Sequence, residues 1–315
     1  MIKIKYFDGI LIEHNDETIL IDPSRPTLIN YVKHVLITHA HKDHVCREVE
    51  KARNCILTSF SKKVLEVRDD VYPRNATIVG TGNIIELDRC IVYAYNAGHI
   101  IGSLMYVIEF KDLRIGITGD FNLEDTIITQ GSNLIDDIDI LIVDSTYGHP
   151  KFQFPERSEL YNEILSLVEK YYNTDVKIIL RCNPLGKAQE VSMLLYRHGY
   201  LFLADSKVRK YNNLISSLKG RYGTSNIIIT STNHNIFSNC RNAIQIYLTG
   251  LEDKLLPIKK HTNFLKISLS NHNDFEKLVY FIDYCRPRRV YTIYGYSKSF
   301  SKYLRRQGWR ASTLT

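Results

Sequence analysis

The side chains best suited to chemistry in this sequence lie close together in one short segment. His39, His41, Asp43 and His44 follow a β-branched run at residues 34–38 that is typical of a strand. Imidazole nitrogens and carboxylate oxygens are ligands that suit zinc, and so many ionisable groups are not buried without partners. The spacing therefore predicts a loop, at the end of a strand, that binds one or two divalent metal ions.

This segment resembles the HxHxDH signature of the metallo-β-lactamase fold. Further elements of that fold match in order, namely Asp22 in the run 19–23, His99 in the run 98–103 and Asp120 in the run 118–121. The resemblance implies an α/β fold of the αβ/βα sandwich type, in which two sheets are packed between helices. It also implies that the loops at one end of the strands carry the functional side chains.

The same resemblance implies how the metal ligands divide. It implies a first zinc ion held by His39, His41 and His99, a second ion facing Asp43 and His44, and Asp120 as the bridge between them. Asp43 and Asp120 also count as catalytic residues, because a bound ion lowers the pKa of its water and paired ions clamp the oxygens of a phosphodiester. Asp22 is expected to orient the histidine loop rather than to bind metal.

Later motifs resemble those of the β-CASP nucleases, a group within this fold. Residues 144–148 look like their acidic Thr-Tyr-Gly motif, residues 268–274 look like their Ser-x-His-x-Asp motif, and residues 183–190 resemble a helix start in their inserted domain. We expect His272 to donate a proton to the departing oxygen or to hydrogen-bond the phosphate, and Asp144 to orient His272 and favour its protonated form.

Substrate contacts are expected in the same motifs. Ser270, Asn271 and the amides of that segment would cradle phosphate oxygens. Lys187 begins a helix next to Gly186, where backbone amides and the helix dipole favour anions. A solvated lysine explains Lys187 as well as a phosphate contact does.

One position departs from the RNA-processing members of the group. Tyr294 precedes Gly295, where those members typically carry a histidine that completes the second metal site. A neutral phenol is a poor zinc ligand, so we expect zinc at the first site and a weaker second site that takes Mn or Mg as alternatives. DNA-directed members also lack this histidine, which favours DNA over RNA as the substrate.

Charge is divided along the chain of 315 residues. Residues 1–150 contain 15 Lys and Arg against 22 Asp and Glu, whereas residues 151–315 contain 26 against 12. A clustered basic surface attracts polyanions and gains free energy from counterion release. The basic second part therefore favours a nucleic acid partner, although solvated surface lysines would produce the same count.

Composition narrows the class of protein. Hydrophobic residues at 44% and charged residues at 24% are ordinary for a globular chain, and no apolar run is long enough for a membrane helix. We therefore expect no membrane partner. Six scattered cysteines and the lack of an apolar signal core favour reduced thiols and a cytoplasmic location.

The elements that must position these motifs form two domains. Short β-branched and aromatic runs separated by turns fill the first part, an α/β alternation follows, and the tail returns to the first style. We expect a metallo-β-lactamase catalytic core at residues 1–150 and 262–315. A short β-CASP-like α/β domain at residues 151–261 would be inserted into it.

Together these features predict a metal-dependent phosphodiesterase that cleaves nucleic acid with metal-activated water. The preferred hypothesis is a 5′-to-3′ DNA exonuclease acting on single strands or ends, similar to DNA-repair exonucleases. The alternative is an RNA-processing nuclease that resembles RNase J or the mRNA 3′-end endonuclease. A small-molecule thiolester or lactone hydrolase, and a binding protein that has lost cleavage, are the weaker hypotheses.

Overall fold

The computed structural model describes residues 2–232, 242–250 and 263–315, which form two compact units. The core unit contains Met1–Asp125, Thr129–Gln153 and His272–Thr315. The insert unit contains Thr126–Ile128 and Phe154–Asn271. These bounds differ from the sequence-based ones at residues 150 and 262, because the strand that begins at Asn263 pairs within the sheet of the insert unit.

The first sheet of the core unit follows chain order. Its described strands are β1 (Lys3–Tyr6), β2 (Ile10–His14), β3 (Glu17–Ile21), β4 (His34–Leu36), β5 (Cys55–Leu57) and β6 (Ala76–Ile78). The strands β1 to β3 are antiparallel, and β3 to β6 are parallel. Parallel strands place their carboxyl ends at one edge, where the loops after β3 and β4 meet.

The second sheet of the core unit combines both ends of the chain. Its described strands are β7 (Ile84–Glu86), β8 (Ile91–Asn96), β9 (Leu104–Phe110), β10 (Leu113–Ile117), β11 (Ile140–Asp144), β17 (Arg289–Ile293) and β18 (Ala311–Thr313). They are ordered β18-β17-β11-β10-β9-β8-β7. The parallel pairing of β17 with β11 brings the C-terminal segment back beside Asp144.

The two sheets of the core unit pack face to face. Ile12 and Ile21 from the first sheet share a buried apolar cluster with Tyr106 and Ile117 from the second. The outer faces are covered by helices α1 (Ser59–Asp69), α5 (Phe275–Cys285) and α6 (Ser297–Arg306), together with a 3-10 helix at Arg47–Lys51. Helices outside two packed sheets form the αβ/βα sandwich, which confirms the fold class expected from the sequence.

The insert unit is built on a parallel sheet. Its described strands are β12 (Lys177–Cys182), β13 (Leu203–Ala204), β14 (Ile227–Ser231), β15 (Ala243–Leu248) and β16 (Asn263–Ile267), in the order β13-β14-β12-β15-β16. Helices α2 (Arg157–Tyr171), α3 (Lys187–Arg197) and α4 (Ser206–Asn212) complete the unit. Leu160, Ile164 and Val168 recur on one face of α2 and pack in the apolar core of this sheet.

Five of the six cysteines lie in the described residues. Cys46, Cys55, Cys90, Cys182 and Cys285 are free thiols, whereas Cys240 lies outside the described residues. Within the described ranges, no helix combines the length and the apolar character needed to cross a bilayer.

Candidate metal centre

The candidate centre lies in the core unit, where loops leave the carboxyl ends of the strands. Asp22 follows β3, His39 to His44 follow β4, Asp120 follows β10 and Asp144 ends β11. His99 lies in the loop between β8 and β9. The fold therefore brings together side chains that are far apart in sequence, although the histidine loop already contains three of them.

Two glycines allow these loops to approach one another. Gly98, with φ of +68°, precedes His99, and a Cβ there would lie 2.3 Å from the carbonyl oxygen of Asn122. Gly119, with φ of +53°, precedes Asp120, and its Cβ would lie 2.6 Å from Oγ1 of Thr38. Because any side chain would both clash and strain the backbone, only glycine fits these two positions.

Four side chains converge as a group that could hold one ion. His41 Nδ1 lies 3.0 Å from His39 Nε2 and 3.1 Å from His99 Nε2. Asp120 Oδ2 lies 3.5 Å from His39 Nε2 and 3.6 Å from His99 Nε2. Ligand atoms about 2.0–2.1 Å from a tetrahedral zinc ion lie roughly 3.4 Å apart, so the donor set and its spacing fit zinc.

The protonation state of His39 also suits metal binding. Burial, reinforced by the neighbouring histidines, holds the pKa of His39 well below its ordinary value. A neutral imidazole offers a lone pair to a metal, whereas an imidazolium does not. His39 therefore already has the charge state that coordination requires.

Asp22 and Thr38 orient the ring of His39. Thr38 donates its hydroxyl hydrogen to Asp22 Oδ2 at 2.6 Å and its backbone N–H to Asp22 Oδ1 at 2.7 Å. Since that hydroxyl hydrogen is used, Thr38 Oγ1 accepts from His39 Nδ1 at 3.0 Å, which leaves the Nε2 lone pair facing the other ligands. Sequence reasoning missed Thr38, although its place directly before His39 was the available signal.

His44 and Asp120 form a second position beside the first. His44 Nδ1 donates to Asp22 Oδ2 at 2.9 Å, and His44 Nε2 lies 3.4 Å from Asp120 Oδ1. Burial would lower the pKa of His44, but the Asp120 and Asp22 carboxylates outweigh it and raise that pKa to about 10. Burial likewise raises the pKa of Asp120 to about 6. The carboxylates around His44 thus favour positive charge at this position, which the proton of the ring supplies and which a metal ion would supply in its place.

Tyr294 lies next to this second position. Its ring centroid is 5.0 Å from that of His44, and its backbone is left-handed with φ of +63°. Burial, together with Asp22 and Asp120, holds the pKa of Tyr294 well above its ordinary value. The phenol is therefore neutral, which leaves the second position without the extra ligand that a histidine would supply.

Asp43 is placed differently from the other residues of its motif. Its side chain is exposed, and it belongs to none of the groups of three or more potential ligands found among the described residues. Its carboxylate contributes to raising the pKa values of His44 and Asp120, so it acts on the centre through charge. The catalytic and ligand roles expected for Asp43 therefore remain predictions.

His272 and Asp144 form a pair beside Asp120. His272 Nδ1 donates to Asp144 Oδ2 at 2.9 Å, and His272 Nε2 lies 3.8 Å from Asp120 Oδ2. Asp144 Oδ1 accepts from the Thr146 amide at 2.8 Å and from its hydroxyl at 2.7 Å. The buried carboxylate is held from both sides, which fixes the ring of His272 with Nε2 towards the centre.

The expected substrate contacts lie in the insert unit and have internal partners there. Lys187 Nζ donates to the carbonyl of Leu248 at 3.1 Å, and burial lowers its pKa to about 8. Asn271 donates to Glu190 Oε2 at 2.6 Å, and the carbonyl of Ser270 accepts from Arg157. A phosphate contact for these three residues remains a prediction.

Part of this chain is similar to known proteins. Residues 3–151 match the family model described as Beta-lactamase superfamily domain. This part of the chain is therefore similar to a beta-lactamase superfamily domain. The chain is 30% identical over 194 residues to RNase aCSPSF2 of Saccharolobus solfataricus, an alignment that covers 54% of this chain and 39% of that relative. Two further relatives, from Eremothecium gossypii and Mycosarcoma maydis, are named Endoribonuclease YSH1. The resemblance to nucleases of this fold is thereby confirmed.

Two further similarities extend along most of the chain. A probable DNA ligase of Opitutus terrae is 22% identical over 300 residues, which cover 89% of this chain and 28% of that relative. The alignments with RNase aCSPSF2 and with this probable DNA ligase thus cover only 39% and 28% of those relatives. A crystal structure of a protein of unknown function from Enterococcus faecalis V583 superposes with a TM-score of 0.68 over 95% of both chains at 12% identity, which shows a shared fold.

Proposed function

We propose that this chain is a metal-dependent nuclease that hydrolyses phosphodiester bonds in RNA. One observation carries the proposal: three histidine ligands and a fixed histidine–carboxylate pair all face Asp120. A hydrolase that expels an alkoxide needs both a site for a cation and a proton donor, and this arrangement offers both in one place.

The first position would hold zinc through His39, His41, His99 and Asp120. A bound divalent ion would supply a water of lowered pKa and positive charge for the phosphate oxygens. The chain's own contribution is to orient the ligands, because Thr38 and Asp22 select the nitrogen that His39 offers. The second position, with His44 and Asp120 beside a neutral Tyr294, would bind Mn or Mg more weakly than zinc binds at the first.

His272 would act as the general acid. Because Asp144 accepts the Nδ1 hydrogen, Nε2 is the atom that would hold the proton given to the departing oxygen. The Asp144 carboxylate stabilises the charged ring, and Thr146 keeps that carboxylate in place. The contacts of Asp144 thus serve the proton transfer without touching the substrate.

RNA is preferred over the DNA exonuclease hypothesis because of the names of the relatives. RNase aCSPSF2 and two relatives named endoribonuclease are similar to this chain, whereas the probable DNA ligase is similar at lower identity. DNA remains the second candidate, since that relative covers most of the chain and Tyr294 replaces the histidine of RNA-processing members. The chain covers only part of each relative, so these names support a substrate class rather than a pathway.

The test offers end-labelled single-stranded RNA and DNA of one sequence with Zn, Mn or Mg. We expect RNA cleavage that His272→Ala slows by about 10²- to 10⁴-fold, the usual worth of a general acid. His198→Ala is the matched control, because His198 is exposed in the insert unit and outside the candidate metal groups.

Several outcomes of this experiment would contradict the proposal. Cleavage of DNA but not RNA would restore the DNA hypothesis. Cleavage that survives both chelation and His272→Ala would point to a contaminating nuclease. Turnover of a thiolester that is insensitive to His272→Ala, without cleavage of either nucleic acid, would favour a small-molecule hydrolase.

A further inference from the structure

We propose that one surface of the insert unit binds single-stranded RNA by stacking bases on preassembled tyrosine–arginine pairs. This tyrosine–arginine face consists of Tyr196, Leu201, Arg209, Arg221 and Tyr222. The proposal rests on the proposed function, because it identifies where the substrate strand would bind outside the metal centre.

The stacking pairs are already formed. The guanidinium of Arg221 lies 5.0 Å from the ring centroid of Tyr196, and that of Arg209 lies 5.6 Å from the ring centroid of Tyr222. Tyr196 is 36% exposed and Leu201 is 51% exposed, although both are large side chains. Flat aromatic and guanidinium surfaces held open to solvent are suitable platforms for unpaired bases.

The pairs belong to one continuous surface. Arg221 and Tyr222 are consecutive, and the next residue, Gly223, lies against the side chain of Leu201. Tyr222 also packs edge to face against Phe202, with centroids 5.9 Å apart. Leu201 precedes the edge strand β13, so the face lies at one margin of the parallel sheet.

Basic residues predominate around the face. Residues 191–226 contain six basic residues, namely Arg197, Lys207, Arg209, Lys210, Lys219 and Arg221, all of them exposed. The one acidic residue of that stretch is Asp205, whose carboxylate accepts from the Val208 and Ser231 amides and the Thr230 hydroxyl. One acidic residue against six basic residues leaves this stretch with a net charge of +5.

Single-stranded RNA would bind both the basic residues and the tyrosine rings of this face. Phosphates would neutralise the basic residues, and exposed bases would cover the tyrosine rings and Leu201. In a duplex the bases are stacked on one another, so only the phosphates would interact with this face, through the basic residues. An acidic protein would also bind through the charge, but it would not require aromatic rings beside the guanidinium groups.

Binding is measured by fluorescence anisotropy of the full chain with labelled single-stranded RNA, single-stranded DNA and duplex RNA in EDTA, over a series of salt concentrations. We expect Tyr196→Ala to weaken single-strand binding at least about fivefold without changing the salt dependence. Tyr196→Phe keeps the ring and should bind like the wild-type chain. Arg221→Ala should lower the salt slope by about 0.7 for each phosphate that is no longer neutralised.

Arg289→Ala is the matched control. Arg289 lies 5.9 Å from the ring centroid of Tyr291 in the core unit, so this variant removes an arginine–tyrosine pair outside the face. Unchanged binding by this variant, together with weaker binding by Tyr196→Ala and Arg221→Ala, supports the proposal. Equal binding of single-stranded DNA also supports it, because both strands offer unpaired bases.

Other results would overturn the proposal. These are wild-type binding by Tyr196→Ala and Arg221→Ala, equally weakened binding by Arg289→Ala, tighter binding of duplex than of single strands, or no RNA binding by the wild-type chain. Failure of the proposed function would be distinct, because the wild-type chain would then not cleave RNA when metal is added.

Discussion

Two buried polar clusters in this chain balance negative charge in opposite ways. In the core unit, the buried carboxylates of Asp22 and Asp144 accept hydrogen bonds from histidines and threonines, and Asp120 faces histidines. In the insert unit, the buried Glu190 receives hydrogen bonds from Arg157, Tyr161 and Asn271, each at 2.6 Å. A buried carboxylate needs a positive partner.

The two clusters differ in the source of their positive charge. Arg157 is part of the chain and permanently charged, so the insert cluster is complete by itself and serves structure. The core cluster offers lone pairs from imidazoles, so a bound ion would serve as its positive partner. Closed clusters of the first kind stabilise a fold, whereas open clusters of the second kind carry chemistry.

The largest expected effect comes from His39→Ala, which removes a ligand from the open cluster. We expect zinc binding at the first position and RNA cleavage to be abolished. Zinc at about a hundred times its dissociation constant should stabilise the wild-type chain by about 2.7 kcal/mol and the variant by much less. Metal content, cleavage and thermal unfolding with and without zinc measure this. Full zinc binding by His39→Ala would remove the basis for the comparison.

Arg157→Met tests the closed cluster. Removing one partner leaves the Glu190 charge buried, and we expect the free energy of unfolding to fall by about 3–5 kcal/mol whether zinc is present or not. The double variant Arg157→Met with Glu190→Met should recover most of that difference. Arg197→Met, at an exposed position, is the control in urea denaturation. A zinc-dependent effect of Arg157→Met would show that the two clusters are not independent.

Thr38→Val tests the hydrogen bond that orients His39 in the open cluster. The variant keeps the volume of Thr38 but removes the oxygen that accepts from His39 Nδ1 and donates to Asp22. Removing such an orienting hydrogen bond lowers metal affinity by about 10- to 100-fold. Zinc titration in competition with a chelator measures the change. Thr146→Val, which touches Asp144 instead, should leave zinc affinity nearly unchanged.

The smallest effect concerns Lys187 and pH. Burial lowers its pKa to about 8 from an ordinary value of 10.5. Between those values the unfolded chain holds a proton that the folded chain has released, so the free energy of unfolding should rise with pH in this interval. Lys187→Met should lack that rise, whereas Lys177→Met, at an exposed position, should keep it. Identical pH profiles for all three chains would refute the assignment.

Much of the fold and of the centre followed from local patterns. Apolar alternation and the three histidines of one loop were sufficient to expect a metal site at the end of β4, because a short loop keeps its side chains close whatever the tertiary fold. The roles of Lys187 and Asn271 were harder to predict, because a lysine or an asparagine after a motif has no distinctive local signal. Their partners, Leu248 and Glu190, are contributed by distant segments.

The chemical groups of this protein and their spacing along the chain can be read from its amino-acid sequence. The sequence placed imidazoles and carboxylates in motifs, separated acidic from basic residues, and put Tyr294 where a histidine would complete a second position. Only the tertiary structure decided which atoms face one another. It turned Nε2 of His39 towards Asp120, left Asp43 in solvent, and paired Glu190 with Arg157. Coordination and ion pairing depend on distances of a few ångströms between remote segments, and chain packing sets those distances.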